Sequence, residues 1–290
     1  MGTSRDMEVG QVRALLRATL LSSLAACSAA LTGDGGGADA GQDGGPGQAD
    51  GGTGGLPWRP APGTSWQIQL SGALDTTVGA AIYDVDLFDQ PAAAIAALHA
   101  LDRKVICYFS AGSYEDWRPD RDAFPAAVLG NPLQGWPGEW WLDVRAQAVR
   151  DVMAARMDLA VQKGCDGVDP DNVDGYANGS GFPLAAADQL DYNRFLASAA
   201  HARGLAVGLK NDLDQVADLV AAFDWAIDEQ CFQYDECSLL QPFTAAGKPV
   251  FEIEYGTQAL ATAICPAANG LGFETLVKHL ALDAWRISCR

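Results

Sequence analysis

"AQAVRDVMAARMDLAVQKGCDGVDPDNVDGY" (Ala146–Tyr176) changes its period halfway. The first part carries apolar residues three to four positions apart and stops at Gly164, the pattern of a helix closed by a glycine. "GVDPD" (Gly167–Asp171) then reads as a strand. The second part holds four aspartates, Asp166, Asp169, Asp171 and Asp174. Like charges this close repel, and a fold tolerates them where they do chemistry, bind a cation or stay in water. A calcium loop starting at Asp169 would put Val173 at its fifth position, Asp174 at its sixth and Ser180 at its twelfth. Those positions require an oxygen ligand, a glycine and a glutamate, so the loop is excluded.

The same alternation extends in both directions. Strand patterns fall at Ala80–Asp86, Lys104–Ser110, Trp140–Val144, Gly167–Asp171, Leu205–Asn211, Asp224–Gln230, Pro249–Tyr255 and Trp285–Cys289, separated by helical or loop segments. Trp66–Ser71 reads as an extra N-terminal strand, and the segment before Trp285 as helical. Eight βα-type strands in this length point to an α/β fold, a (β/α)8 TIM barrel. A doubly wound sheet is the alternative, but no glycine-rich dinucleotide loop follows the first strand.

Residues 1–55 stand apart. "RALLRATLLSSLAAC" (Arg13–Cys27) places arginines before a short apolar run and ends like a bacterial lipobox. It reads as a lipoprotein-type signal peptide over 1–27, with Cys27 as the lipidated residue; an ordinary cleaved secretory signal is the alternative. Residues 28–55 are rich in glycine and aspartate, lack large apolar side chains and read as a flexible linker. The catalytic candidate is therefore 56–290. The chain is expected outside the cytoplasm, lipid-anchored at the cell envelope, with the outer membrane as the expected site, or else secreted.

Of 7 cysteines, Cys27 is assigned to the anchor. Export permits disulfides. Cys231 and Cys237 lie close together, and Cys265 and Cys289 flank the C-terminal segment, so each pair is expected to bridge. Cys107 and Cys165 sit in apolar strand-like runs that suit free thiols or a third bridge equally. The formal charge of the whole chain is −18. Such acidity argues against nucleic acid as a partner and would attract a cationic substrate. The three histidines, His99, His201 and His279, read as helical without ligand spacing, so no metal or cofactor is expected.

The strands end in acidic or charged residues: Asp84 and Asp86, Asp143, Asp169 and Asp171, Lys210 and Asp212, Asp228 and Glu229, Glu252 and Glu254. In such barrels the C-terminal strand ends form the mouth. Helix N-capping accounts for Asp212 or Asp214, which open a helical stretch, but poorly for Glu229, which opens none. Opposed carboxylates in an aromatic mouth suit glycosidic hydrolysis, where one assists the leaving oxygen and the other attacks or activates water.

The blocks "VICYFSAGSYEDWRPD", "WWLDV", "GCDGVDPDNVDGY", "AHARGLAVGLKND", "DWAIDEQCFQYDEC" and "PVFEIEY" together resemble glycoside hydrolase family 114. This is the endo-α-1,4-polygalactosaminidase type. The resemblance implies a (β/α)8 barrel that hydrolyses α-1,4-linked galactosamine polymers with two carboxylates, at the ends of strands 4 and 6. Carried onto this chain, it implies Asp171 as nucleophile and Glu229 as acid/base in a retaining mechanism, with Asp169 and Asp228 as rivals for the two places. It further implies subsites lined by Asp84, Tyr108, Asp143, Asp169, Lys210, Glu254 and Tyr255. The expected partner is a cationic or amino-sugar polysaccharide, and a monomer is expected. A non-catalytic carbohydrate-binding lipoprotein on the same barrel is the alternative.

Overall fold

The structure, a computed structural model, describes residues 58–290. The signal peptide, Cys27 and the linker lie outside the described residues.

Eight strands run parallel in the order β1 (Trp66–Gln69), β2 (Ile82–Asp86), β3 (Lys104–Ser110), β7 (Gly167–Asp171), β8 (Ala206–Lys210), β9 (Trp225–Glu229), β10 (Val250–Tyr255) and β11 (Glu274–Lys278). A ninth, β12 (Arg286–Ser288), pairs antiparallel with β11. The seam towards β1 is bridged from β11 and β12: the Trp66 indole N–H donates to the Glu274 carbonyl, and the Arg286 guanidinium to the Trp66 carbonyl. The barrel expectation holds, with its strands assigned differently. Trp66–Gln69 is one of the eight parallel strands. The last of them is Glu274–Lys278, which the sequence pattern suggests is helical.

"WWLDV" is not a barrel strand. Glu139–Leu142 forms β6, which pairs antiparallel with β4 (Ser113–Glu115) and β5 (Leu129–Pro132) in a separate small sheet. This sheet is inserted after β3, at the mouth. It is clamped to the barrel by the buried Arg118, whose guanidinium donates to both Asp86 oxygens at 2.9 and 2.7 Å and to Glu115 at 2.8 Å.

The helices lie outside: α1 (Ala92–His99), α2 (Gln147–Lys163), α3 (Ala186–Ala202), α4 (Val216–Leu219), α5 (Gln241–Ala245) and α6 (Gln258–Leu271). Helix α2 ends where expected, with Gly164 in the left-handed conformation at φ 89°. Val149, Val152, Met153, Met157 and Ala160 form its buried face.

Alternation along each strand sorts the two faces. Tyr83, Val85, Val105, Cys107, Phe109, Val168, Val207 and Leu209 point outward into the core under the helices. Trp66, Ile82, Ile106, Ala206, Trp225, Ile227 and Phe251 fill the lower barrel. The Trp225 indole occupies the space that side chains at Gly167 and Gly208 would need: a Cβ at Gly208 would fall 2.2 Å from its Nε1. The same parity then delivers Asp84, Tyr108, Asp169, Asp171, Lys210 and Glu229 to the upper interior.

Three disulfides form. Cys231–Cys237 and Cys265–Cys289 pair as expected, and Cys107–Cys165 makes the third, tying β3 to the turn before β7.

Candidate active site

Asp171 ends β7, Lys210 ends β8 and Glu229 ends β9, so three successive strands present their last inward residues at the mouth. Lys210 is the hub. Its Nζ lies 3.5 Å from Asp171, 3.8 Å from Glu229 and 3.9 Å from Asp169. Lys210 is 2 % exposed. Burial alone would favour a neutral amine, but the surrounding carboxylates, led by Asp171 and then Glu229, hold it protonated well above the ordinary lysine range.

Each of the two carboxylates is oriented by further groups. Asp171 accepts the Tyr108 hydroxyl at 2.8 Å and the backbone N–H of Asn172 at 2.8 Å. Glu229 accepts the Tyr255 hydroxyl. The backbone N–H of Glu229 donates to Asn211 Oδ1 at 3.0 Å. The side chain of Asn172 donates in turn to Ser110 at 2.9 Å, and Ser110 is paired with Ser113 at 2.6 Å.

The turns that follow these strand ends are strained. Asn172, Asn211, Asp212 and Gln230 have φ of 61°, 50°, 47° and 69°. Left-handed backbone is unfavourable for residues with a Cβ, and it gathers where the surrounding structure over-determines a site. Sequence reading missed Asn211 and the serine pair. The available signal was an asparagine just past a strand end, at Asn172 and again at Asn211, because asparagine tolerates this conformation best after glycine.

Access separates the residues. Asp171 and Glu229 keep some exposure, whereas Asp84, Asp169 and Tyr108 are at or below 1 %. Burial raises Asp84 well above the ordinary carboxyl range, and the neighbouring Asp169 adds to it. Burial pushes Asp169 up to about 7 against the pull of Lys210.

Three expected site residues lie elsewhere or act differently. Asp143 follows β6 in the inserted sheet, not a barrel strand, and is engaged by Arg145 at 2.8 and 2.9 Å. Glu254 points to the outer face by strand parity and accepts the backbone N–H groups of Phe232 and Gln233 at 2.7 and 3.3 Å, so it supports the loop after Glu229. Asp228 and Glu252 are cross-strand partners on that same outer face, which removes Asp228 from the mouth. Asp212 caps no helix with its side chain. It accepts from Asn193 at 2.8 Å, and burial together with Asp174 pushes it up to about 8.

Each histidine sits beside an aspartate, His99 by Asp166, His201 by Asp224 and His279 by Asp283. His279 directly follows β11 and is not in a helix. Among the described residues, no group of three or more His, Cys, Asp or Glu is arranged to hold a metal.

Comparison with known proteins agrees with this fold. The crystal structure of Ega3 of Aspergillus fumigatus in complex with galactosamine superposes with a TM-score of 0.78 at 48% identity, over 80% of this chain and 97% of that one. The glycoside hydrolase domain of PelA from Pseudomonas aeruginosa shares the fold, with a TM-score of 0.63 at 17% identity over 77% of this chain and 98% of that one. A protein of Deinococcus radiodurans is 28% identical over 250 residues, 75% of this chain and 81% of that protein. Residues 50–290 match glycoside-hydrolase family GH114. The barrel, the paired carboxylates at its mouth and this match lead to one conclusion: the chain belongs to family GH114 and is a glycoside hydrolase.

Proposed function

We propose that the protein cleaves α-1,4-linked galactosamine-containing polysaccharide by a retaining mechanism, with Asp171 as nucleophile and Glu229 as acid/base. One observation carries the reading: both carboxylates share a single buried ammonium, at 3.5 and 3.8 Å from Lys210 Nζ. Two oxygens so placed lie no more than about 7 Å apart, which admits the roughly 5–5.5 Å of direct attack and excludes most of the roughly 6.5–9.5 Å range of inversion. Lys210 keeps Asp171 ionised, as a nucleophile requires. Asp171 attacks the anomeric carbon while Glu229 gives a proton to the leaving oxygen; Glu229 then takes a proton from the water that releases the glycosyl group. Tyr255, bonded to Glu229, orients the acid.

Galactosamine fits the net charge of −18, because a de-N-acetylated polymer is cationic and is drawn to an acidic protein. The galactosamine bound by Ega3, at 48% identity, supports the same sugar here.

The chain is assigned to the outside of the cytoplasm, held by a lipid on Cys27, on the strength of the N-terminal sequence pattern. Trp58 packs against Trp225, and Arg59 pairs with Asp224 at 2.9 Å, both at the N-terminal end of β9. Trp58 and Arg59, the first described residues, therefore lie at the end of the barrel opposite the mouth.

The test is reducing-end release from de-N-acetylated galactosaminogalactan, its acetylated form and chitosan, with Asp171→Asn and Glu229→Gln beside the wild type. Release from the first substrate, lost in both variants, is expected. Tight binding without release, or release that survives both substitutions, would refute the assignment.

A further inference from the structure

Beneath the catalytic pair lies a second pair of acids. Asp84 on β2 and Asp169 on β7 point into the barrel with 0 % exposure. None of their four oxygens receives a hydrogen bond from any other residue. The charged and titratable groups that act on them are Asp171 from β7, Lys210 from β8 and Glu229 from β9. Tyr108 from β3 stands beside them, with its hydroxyl given to Asp171.

One ammonium cannot neutralise four carboxylates. Lys210 already faces Asp171 and Glu229, and an unpaired charge at this depth is strongly destabilising. At least one proton must therefore stay in the lower pair. Asp169 lies 3.9 Å from Lys210, whereas Asp84 has no cation within ion-pair distance among the described residues. The proton therefore belongs on Asp84, and Asp169 is the acceptor within its reach.

We infer that Asp84 is a protonated positioning residue that donates its O–H to Asp169, so that Asp169 turns its charge to Lys210 and holds the ammonium against Asp171. The inference rests on the proposed roles of Asp171 and Lys210. Burial works in the same direction: it raises Asp84, where the neighbouring Asp169 adds to it, whereas at Asp169 the pull of Lys210 opposes it. Asp84 and Asp169 then read the sugar only indirectly, through the lysine above them.

Two measurements test this. The first needs no substrate: an infrared difference spectrum, wild type minus Asp84→Asn, at neutral pH. The carbonyl stretch of an undissociated carboxylic acid, lost in the variant, is expected. A difference showing only carboxylate bands would overturn the inference. The second compares Asp84→Asn with Asp84→Leu on the galactosamine polymer. The amide still donates an N–H to Asp169, and leucine donates nothing. Asp84→Asn should lower kcat about threefold and Asp84→Leu at least about tenfold more, the effect of one hydrogen bond to a charged group, with KM unchanged in both. Equal losses, or a raised KM in Asp84→Asn, would make Asp84 a charged substrate contact and overturn the inference. If the polymer is the wrong substrate, the kinetics stay silent while the infrared measurement still decides.

Discussion

Replacing Lys210 by methionine removes the one cation that three carboxylates share, at 3.5, 3.8 and 3.9 Å, while keeping most of the buried volume. At an effective dielectric constant of about 20, a unit charge pair near 4 Å is worth about 4 kcal/mol. That is an upper bound of about three pH units on the ionisation of one carboxyl. The ammonium is itself buried and spread over three partners, so about one to two units is the working figure for Asp171. The sign follows from the charge: a cation favours the ionised carboxylate, so its removal makes the nucleophile harder to ionise. The acidic limb of the kcat/KM profile should therefore move up by about one to two pH units in Lys210→Met. The assay is reducing-end release across pH, with a thermal melt to establish that the variant is folded. A folded variant whose acidic limb stays in place, or moves down, would refute the electrostatic role given to Lys210. Simple loss of a substrate contact would lower activity at every pH and leave the limb where it was.

Arg118→Met leaves Asp86 and Glu115 buried without their shared guanidinium and should destabilise by about 3–5 kcal/mol, a Tm loss of roughly 6–20 °C by calorimetry; a loss under about 3 °C would contradict the clamp. Replacing Cys107 and Cys165 together by alanine opens a loop of 58 residues and should cost about 4 kcal/mol, read as a fall in denaturation midpoint under oxidising conditions and as no difference from wild type once both are reduced. Stability should fall as pH rises from about 5 to 8. Asp212, at about 8 in the folded chain, keeps a proton that the unfolded chain releases near 4, so its contribution is complete in acid and is lost as pH passes through its folded value. Asp212→Asn should flatten that slope in pH-dependent melts, and a wild-type Tm that rises from pH 5 to 8 would contradict it. Lys278, lowered to about 7 by burial, has the opposite sign and adds stability only on the alkaline side, so melts above pH 8 should turn upward unless it is replaced by methionine.

Local chemistry alone determined a good part of this protein. The change from helical to strand period around Gly164, the repeated charged strand ends and the two short-range cysteine pairs are properties of neighbouring residues, and they point to a barrel with carboxylates at its mouth; the resemblance to family 114 singled out Asp171 and Glu229 among them. Partnership was decided only in three dimensions. Alternation in "WWLDV" identifies a strand, but which strand it joins depends on hydrogen bonds to β4 and β5, so its place in the small sheet was invisible. Phe273, Leu276 and Val277 satisfy helical spacing as well as strand pairing, and only the open edge of β10 selects the strand. Face was equally hidden: Glu252 and Glu254 sit at a strand end like Glu229, but the pairing of Ile253 with Glu229 turns them outward. Cys107 and Cys165 met because β3 and β7 became neighbours across 58 residues. The shared ammonium is the last such case, since no sequence spacing tells that residues 169, 171, 210 and 229 surround one nitrogen. Closure of the sheet brought their strand ends together, and burial then made their charges interdependent.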